Sequence, residues 1–368
     1  MKFAKQYNII FFLCLFVISL QAQDKQKLHH TDGPYISLKE DGREIMRVSQ
    51  KGISRERYTD LTQPFSVQSH SGEIIFDVKL HTPRTPEWKS TQSGDILILS
   101  DPHGNLEAFV SILNAQNVID DNYKWVFGQN HLVVIGDVFD RGDDVLPIFW
   151  LIYKLEEEAR KAGGKVHFLY GNHEDLILRN DVRYMNEKYK HLTDELKTDY
   201  SKLWLSGSEL GYWLKNRNTI EIIGNNLFVH AGLSKEFLDQ NWDIAQVNEI
   251  VRKYIGVERK ERDKSEKAKF LFGSNGPIWY RGMVHREEKY NPIAENDVDA
   301  ILKKYNMNQI FVGHTIFEEI TSFYQGKVID VNVNNKKNWQ QGRSRGILIK
   351  GKKKYLVYDD PSKNEELK

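Results

Sequence analysis

The chain has 368 residues, with 52 lysines and arginines against 51 aspartates and glutamates, and 40% of its residues are hydrophobic. This length allows one large domain or two modest ones, and the apolar content is enough for a sizeable core, which excludes a disordered chain. The nearly balanced charge gives no indication of a protein that binds nucleic acid or a membrane surface.

Residues 1–23 have the pattern of a secretory signal peptide. Lys2 and Lys5 precede an apolar run from Ile9 to Leu20, and the sequence QAQ follows it. The run is shorter than the roughly 20 residues that a membrane span requires, so we expect cleavage near Gln23 and no stable membrane anchor afterwards. The sequence therefore predicts an exported protein that is periplasmic or extracellular.

The single cysteine, Cys14, lies within that apolar run, in a position that does not fit lipidation. Removal of the signal peptide leaves a mature chain without a thiol. We therefore expect no disulfide, although the outer compartment permits them, and no cysteine nucleophile. This excludes the cysteine-dependent phosphatases and proteases.

Residues 24–94 are predicted to form a β-rich N-terminal extension. Two stretches each contain a pair of strand-like runs joined by a turn: PYISLKEDGREIMRVSQ with an Asp-Gly turn, and FSVQSHSGEIIFDVKLH with SHSG as the turn. The stretch HTPRTPEWKSTQSGD contains prolines and serines and has the composition of a linker.

From residue 95 strands and helices alternate. The apolar strands DILILSD, HLVVIGD and KVHFLYGN are separated by the helical patterns NLEAFVSILNAQNV and VLPIFWLIYKLEEEARKAGG. Such units favour an α/β fold with functional sites at the carboxyl ends of the strands. The connection over residues 175–215 is long, and we expect it to be a helical insert that caps the cleft, with Arg183 and Tyr184 near the substrate but not in direct contact with it.

After residue 215 the pattern becomes more β-like. Three hairpins are predicted in TIEIIGNNLFVHAG, EITSFYQGKVIDV and GILIKGKKKYLVYDD, and NQIFVGHT is a further strand. The intervening stretch VRKYIGVERKERDKSEKAKF mixes both charge signs densely, which is typical of a solvated helix or a mobile loop.

Five short segments that end or follow apolar strands carry residue types that bind metals. Because strand ends converge on one edge of a sheet, these side chains can meet although they are spread along the chain. Oxygen ligands mixed with imidazoles suit manganese, iron or zinc better than calcium or magnesium, and a bound cation explains why acidic residues gather at residues 137–144. Other histidines, at 131, 167 and 285, are interpreted as ordinary polar groups. The segments are LSDPHGN (Asp101, His103), GDVFDRG (Asp137, Asp140, Arg141), YGNHED (Asn172, His173), FVHAG (His230) and FVGHT (His314).

The ordered set SDPHG, GDVFDRG, GNHE, HAG and GHT resembles the calcineurin-like metallophosphoesterases, and within them the phosphoprotein phosphatase branch. Together with GHT, the element GPIWYRG at residues 276–282 resembles most the Shewanella-like bacterial phosphatases. The resemblance covers residues 95–358 and implies a two-sheet β-sandwich flanked by helices, with residues 359–368 as a C-terminal tail. At Ser100 and Ala231 the sequence differs from the family's motifs, but in both places one small residue replaces another.

The resemblance also implies two divalent metal ions, with Asp137 as a bridging ligand. Two ions can clamp a phosphoryl group and generate a hydroxide that attacks phosphorus at neutral pH. Manganese is the expected metal, with iron or zinc as alternatives. The implied ligands are Asp101, His103 and Asp137 for the first ion, and Asp137, Asn172, His230 and His314 for the second.

Four further residues receive roles from the same resemblance. His173 is the candidate general acid for the leaving group, and Asp140 is its orienting partner. Arg141 and Arg281 are candidate ligands of the phosphate oxygens. For Arg281, an arginine at the surface beside a buried aromatic pair is an equally good interpretation.

The sequence thus predicts an exported metal-dependent phosphatase that acts on a phosphorylated protein or peptide. One alternative within the same chemistry is a hydrolase of small phosphoesters, such as nucleotides or dinucleoside polyphosphates. An alternative of another class is a surface binding protein with a relic metal site, but a relic would be expected to have lost at least one ligand.

Overall fold

The computed structural model describes residues 31–205 and 207–367. The predicted signal peptide, residues 1–23, lies outside the described residues. Within the described part of the chain, none of the helices combines the length and the apolar composition that a membrane span requires.

The strands alternate with helices through most of the chain. In chain order the strands are β1 (Asp32–Lys39), β2 (Gly42–Ser49), β3 (Gly52–Tyr58), β4 (Phe65–Gln68), β5 (Ile75–Val78), β6 (Lys89–Ser90), β7 (Ile96–Leu99), β8 (His131–Val134), β9 (Lys165–Phe168), β10 (Ile220–Ile223), β11 (Asn226–Val229), β12 (Gln309–Val312), β13 (Thr321–Phe323), β14 (Val328–Asp330), β15 (Gly346–Lys350), β16 (Lys353–Val357) and β17 (Glu365–Glu366).

The longest helix, α2, follows the acidic segment, and Gly163 ends it in a left-handed conformation, as the Gly-Gly pair predicts. The helices are α1 (Leu106–Ala115), α2 (Val145–Ala162), α3 (Asn172–Leu178), α4 (Glu187–Leu196), α5 (Glu209–Lys215), α6 (Lys235–Asp239), α7 (Ile244–Tyr254), α8 (Arg259–Arg262), α9 (Glu266–Leu271), α10 (Glu295–Tyr305) and α11 (Asn335–Gln341).

Two six-stranded sheets form the centre of the protein. One has the order β17-β16-β15-β7-β8-β9, and the other has the order β13-β14-β12-β11-β10-β6. Helix α2 packs against β9 in the first sheet, and α7 packs against β10 in the second. The predicted fold class, an α/β sandwich of two sheets flanked by helices, is confirmed.

Alternate residues of the central strands enter two different cores. In β7, Ile96 and Ile98 join the layer between the two sheets, whereas Leu97 and Leu99 join the larger core under the helices. The same alternation separates Phe228 from its neighbours in β11. Because both faces of these strands are buried, their sequences are continuously apolar, and the carboxyl ends of the parallel strands meet at one edge.

The N-terminal segment contains both predicted hairpins, β1–β2 and β4–β5. It also contains β3, which extends the first hairpin to three strands. The sequence of β3, GISRERY, has no apolar alternation because this edge strand is largely exposed, so its pattern gives little indication of a strand.

The stretch before residue 95 contributes a short strand to the second sheet. The stretch interpreted as a linker contains β6, whose Lys89 and Ser90 pair with Ile222 and Ile223 at the edge of the second sheet. A two-residue edge strand carries no periodic signal, so it was not predicted. At the other end, the residues predicted as a tail include β17, which pairs with β16.

The predicted insert, residues 175–215, contains α4 and α5 and packs its two tryptophans into the main core. Trp204 and Trp213 are buried, and the rings of both lie near Phe149 of α2. A buried ion pair joins the insert to the first strand: Lys188 Nζ lies 2.8 Å from Asp32 Oδ1 and also donates to the carbonyl oxygen of Asp143 at 2.7 Å.

The charged stretch after residue 250 was expected to be a solvated helix or a mobile loop. One of its residues, Arg262, is not solvated. The stretch forms the end of α7 and the short helices α8 and α9. Arg262 is buried, and its Nη1 donates to Asp175 Oδ1 at 2.9 Å. The partner carboxylate is 87 residues away, so composition alone could not indicate this pair.

We predict that the Lys188–Asp32 pair is a strong determinant of stability. Lys188→Met should lower the free energy of unfolding by about 3–5 kcal/mol, because Asp32 would remain as a buried and unpaired charge. Chemical denaturation measures this change. Lys190→Met on the same helix is the control, since Lys190 is exposed and its pair with Glu187 is worth at most about 1 kcal/mol. Equal losses in the two variants would contradict the prediction.

Candidate metal centre

The structure brings the six predicted metal ligands together at one edge of the sandwich. They follow five strands, with Asp101 and His103 in the same loop, and none is more than 7% exposed. Two overlapping groups have ligand atoms within 4.8 Å of one another: the predicted general acid His173 joins His103 and Asp137 in one, and Asp137, His230 and His314 form the other. Asp101 adjoins the first group, with its Oδ2 3.9 Å from His103 Nε2.

Asp137 belongs to both groups. Its Oδ2 lies 3.3 Å from His230 Nε2 and 3.9 Å from His173 Nε2. Burial alone would raise the pKa of the Asp137 carboxyl, but the imidazoles of His230 and His173 outweigh burial and hold this pKa well below its usual range. A carboxylate that stays ionised between two groups of nitrogen ligands has the position of a bridging ligand.

Two buried carboxylates at this edge repel each other. Burial and the neighbouring Asp137 raise the pKa of Asp101 to about 6. Buried charges of one sign require compensation, and a divalent cation supplies it.

The imidazoles are oriented as metal ligands usually are. His103 Nδ1 donates to the carbonyl oxygen of Phe139 at 2.7 Å, and His230 Nδ1 donates to that of Ile135 at 2.8 Å. Each ring therefore presents Nε2 to the cluster, and such a backbone bond fixes the tautomer of a ligating histidine. His314 Nε2 is buried without a hydrogen-bond partner among the described residues, and the carboxamide oxygen of Asn172 lies 2.9 Å from His230 Nε2. The residues thus fit divalent metal ions.

Six residues of these loops have a left-handed backbone, with φ between 42° and 71°. This conformation is sparsely populated for residues other than glycine, costs on the order of 1–3 kcal/mol each and clusters at functional sites. The loops therefore hold their side chains in place at the expense of backbone strain. The six are Asp101, His103, Asp137, Asp140, Arg141 and His314.

Glu174 is a supporting residue that the sequence reasoning left without a role. Its buried carboxylate accepts from the backbone N–H groups of Gly171, Asp137 and Val138, each at 2.9 Å. It thereby ties the loop after β8 to the start of α3, which carries Asn172. The signal was present in the sequence, because Glu174 is the last residue of GNHE.

Two asparagines after β14 also support the site, and no motif indicated them. Asn332 Nδ2 donates to Asp101 Oδ2 at 2.9 Å, and Asn335 Nδ2 donates to the carbonyl oxygen of Ser100 at 2.8 Å. Asn332 therefore fixes the Asp101 oxygen that lies near His103 Nε2, and the other oxygen, Oδ1, accepts from the backbone N–H of His314 at 3.2 Å.

His173 and Asp140 form the predicted pair. His173 Nδ1 donates to Asp140 Oδ2 at 2.5 Å, which leaves Nε2 directed towards Asp137. Burial alone would lower the pKa of His173, but the carboxylates of Asp137 and Asp140 outweigh burial and raise this pKa above its usual value. The ring is therefore suited to holding a proton, and it lies 5.3 Å from the exposed ring of Tyr184 in the insert.

Three of the four acidic side chains in the segment IGDVFDRGDD have separate roles. Asp137 lies in the metal cluster and Asp140 orients His173. Asp144 Oδ1 accepts from the backbone N–H of His70, in the β4–β5 turn, at 2.5 Å. Together with Asp101, His103 and Arg141, His70 lines a cleft of about 460 Å³, so the N-terminal hairpin forms part of the wall beside the metal centre.

Arg141 and Arg281 lie at different sides of the centre. Arg141 lines the cleft shared with Asp101 and His103. Arg281 Nη1 donates to Thr315 Oγ1 at 3.0 Å and to the carbonyl oxygen of His314 at 3.3 Å. This places the Arg281 guanidinium beside a ligand residue, so it is more than an arginine at the surface.

The histidines interpreted from the sequence as ordinary polar groups, His131, His167 and His285, lie apart from the two ligand groups. His131 Nδ1 bonds to His167 Nε2 at 3.0 Å, and His167 Nδ1 donates to Glu221 Oε2 at 2.6 Å. His285 stacks on Tyr290. They are polar or packing groups, as interpreted from the sequence.

A fold of two sheets with a carboxylate shared by two groups of nitrogen ligands defines a class of metal-dependent phosphatases. The sequence profile of the calcineurin-like phosphoesterase family matches residues 94–317, and the chain belongs to this family. It is a metal-dependent phosphatase.

Three individual proteins show how similar this chain is to known phosphatases. Shewanella-like protein phosphatase 2 of Arabidopsis thaliana is 24% identical over 304 residues, which cover 69% of this chain and 75% of the plant protein. Shewanella-like protein phosphatase 1 of Plasmodium berghei is 28% identical over 225 residues, 61% of each chain. The crystal structure of a cold-active protein-tyrosine phosphatase from a psychrophilic Shewanella is similar with a TM-score of 0.84 and 30% identity, over 92% of this chain and 99% of that one.

We predict that Asp137→Asn removes more metal than any change at a ligand of one group only, such as His314→Ala. One carboxylate serves both groups, so its loss weakens both ion sites at once. Metal analysis of purified protein, per chain, measures the effect. Asp143→Asn, in the same loop but outside both groups, is the control and should keep the wild-type metal content. Full metal retention in Asp137→Asn would contradict the bridging role.

Proposed function

We propose that the protein is a dinuclear-metal phosphatase that hydrolyses the phosphomonoesters of phosphorylated proteins or peptides. The observation that carries this proposal is the position of Asp137, which is shared by two buried ligand groups beside an open cleft. The names of the relatives, protein phosphatases in a plant, in Plasmodium and in Shewanella, support a protein or peptide substrate.

Asp101, His103 and Asp137 would hold one ion, and Asp137, Asn172, His230 and His314 would hold the other. Bound there, two divalent ions supply Lewis-acid stabilisation of the phosphoryl oxygens and an activated water. Manganese is the metal we propose, because carboxylate, carboxamide and imidazole ligands together suit it.

The chain's own residues bind the phosphate and supply the proton. Arg141 and Arg281, on different sides of the centre, are suited to binding non-bridging phosphate oxygens, where the guanidinium offers two parallel N–H groups. His173 would give a proton from Nε2 to the leaving oxygen, and Asp140 holds the other nitrogen of the ring and stabilises the imidazolium.

The substrate assignment is tested by an activity screen with the manganese-loaded enzyme. Phosphotyrosine, phosphoserine and phosphothreonine peptides are compared with nucleotides and dinucleoside polyphosphates by kcat/KM. We expect phosphopeptides to be the better substrates and chelation to abolish turnover. Higher kcat/KM for nucleotides would overturn the peptide assignment, and full turnover after exhaustive chelation would overturn the metal mechanism.

We predict that His173→Asn slows substrates in proportion to their need for a proton on the leaving group. Phenyl phosphate, with a poor leaving group, should lose on the order of 10²–10⁴-fold in kcat/KM. For p-nitrophenyl phosphate the loss should be much smaller, because nitrophenolate leaves without protonation. Asp140→Asn should show the same trend more mildly, since this carboxylate acts through the ring of His173.

The competing interpretation is that His173 is itself a metal ligand, since it lies in the same group as His103 and Asp137. Under that interpretation both substrates would lose equally and the variant would contain less metal. Measuring both substrates and the metal content of the same preparation separates the two roles.

We also propose that the protein is exported, on the evidence of the basic and apolar pattern of residues 1–23. The mature N-terminus should then lie between Ala22 and Asp24. N-terminal sequencing of protein from the outer compartment measures this, and recovery of a chain that begins with Met1 in the cytoplasmic fraction would contradict it.

A further inference from the structure

A second groove adjoins the metal centre and has a basic lining. It has a volume of about 630 Å³ and lies between the insert and the segment from Arg259 to Asn291. Arg281 is among its lining residues and donates to the carbonyl oxygen of His314. One carboxylate, Asp263, is among its lining residues. The other cations of the lining are Arg179, Arg183, Arg259, Arg262, Lys269 and Lys289.

Two of these cations have a structural role. Arg179 Nε and Arg262 Nη1 each donate to the buried carboxylate of Asp175 at 2.9 Å. Asp175 is in α3, three residues after the ligand Asn172, so the two arginines hold this helix in place. Because both arginines bind Asp175, they contribute to the groove mainly through their positive charge.

The remaining four cations are exposed and available to a ligand. The side chains of Arg183, Arg259, Lys269 and Lys289 are between 57% and 78% exposed. Each pairs with a carboxylate two to four residues away in the chain. Arg183 binds Asp181 through two N–H groups, whereas the exposed pairs of Arg259, Lys269 and Lys289 contribute only about 0–1 kcal/mol. A bound anion can therefore compete for them at little cost.

The groove lies next to the proposed catalytic residues. The ring of Trp279, in its lining, lies 5.7 Å from the ring of His314. Arg183 precedes Tyr184, whose ring lies 5.3 Å from that of His173. A peptide whose phosphorylated residue lies at the metal centre would therefore place neighbouring residues in the groove.

We propose that this groove is a substrate subsite that binds carboxylate side chains next to the phosphorylated residue, so that the enzyme selects acidic phosphopeptides. The proposal rests on the proposed function. The whole chain is close to neutral, so the attraction comes from the local excess of cations in the lining. A cleft in which one sign of charge predominates raises the local concentration of ligands of the opposite sign.

Three phosphotyrosine peptides test the proposal, identical except that the residues flanking the phosphotyrosine are Glu, Gln or Lys. We expect kcat/KM in the order Glu, Gln, Lys, with a difference of roughly tenfold between the Glu and Gln peptides, mainly in KM. High salt should remove the difference, because exposed charges are screened within about 3 Å at 1 M ionic strength. Equal kcat/KM for the three peptides, or a preference that persists in high salt, would overturn the proposal.

The double variant Arg259→Gln, Lys289→Gln tests whether the cations of the groove cause the preference for the Glu peptide. Its ratio of Glu-peptide to Gln-peptide kcat/KM should fall towards one. Lys161→Gln, Lys202→Gln is the matched control: these lysines are 63% and 65% exposed, have local carboxylate partners and lie outside the groove lining, so the ratio should stay at the wild-type value. An unchanged ratio in the groove variant would overturn the proposal.

The peptide assays give different results if the acidic subsite is wrong and if the proposed function is wrong. If the three peptides are hydrolysed equally, the phosphopeptide assignment holds and only the acidic subsite is refuted. If neither these peptides nor the phosphoserine and phosphothreonine peptides of the screen are hydrolysed while p-nitrophenyl phosphate is, the phosphopeptide assignment is refuted and the subsite with it.

Discussion

The arrangement of the catalytic edge depends on the buried carboxylate of Asp137, which is shared by two groups of imidazoles. To reach that position, the loop after β8 has a left-handed backbone at Asp137, and Glu174 accepts the N–H groups of Asp137 and Val138. One oxygen of Asp137, Oδ2, lies near Nε2 of both His230 and His173. The sandwich provides the fixed strand ends against which this costly geometry can be held.

The sequence predicted the parts of the protein whose signals are local. Apolar runs indicated the central strands because both faces of those strands are buried, and the motif residues follow them directly, so the six ligands could be placed at one edge before the structure was known. The glycine pair after α2 indicated the end of that helix. Each of these signals lies within a few neighbouring residues.

The features that the sequence did not predict depend on distant partners or on short elements. β6 has two residues and becomes a strand through its pairing with β10. Arg262 lies in a stretch of mixed charge, and its burial follows from Asp175, 87 residues earlier. Asn332 supports Asp101 from 231 residues away, without a motif. The role of the β4–β5 turn at the cleft wall likewise depends on a contact with Asp144, which strand propensity does not indicate.

The strand order has a consequence for the way the chain can fold. β7, which leads to the first metal ligand, pairs on one side with β15, so that Ile98 lies opposite Ile347. Until Gly346–Lys350 has been synthesised, this strand has an open edge with unpaired amide and carbonyl groups, and such edges are prone to aggregation. Contacts of such high sequence separation also slow folding. All the metal ligands of a nascent chain can therefore have been synthesised while β15, the strand that covers the edge of β7, is still missing.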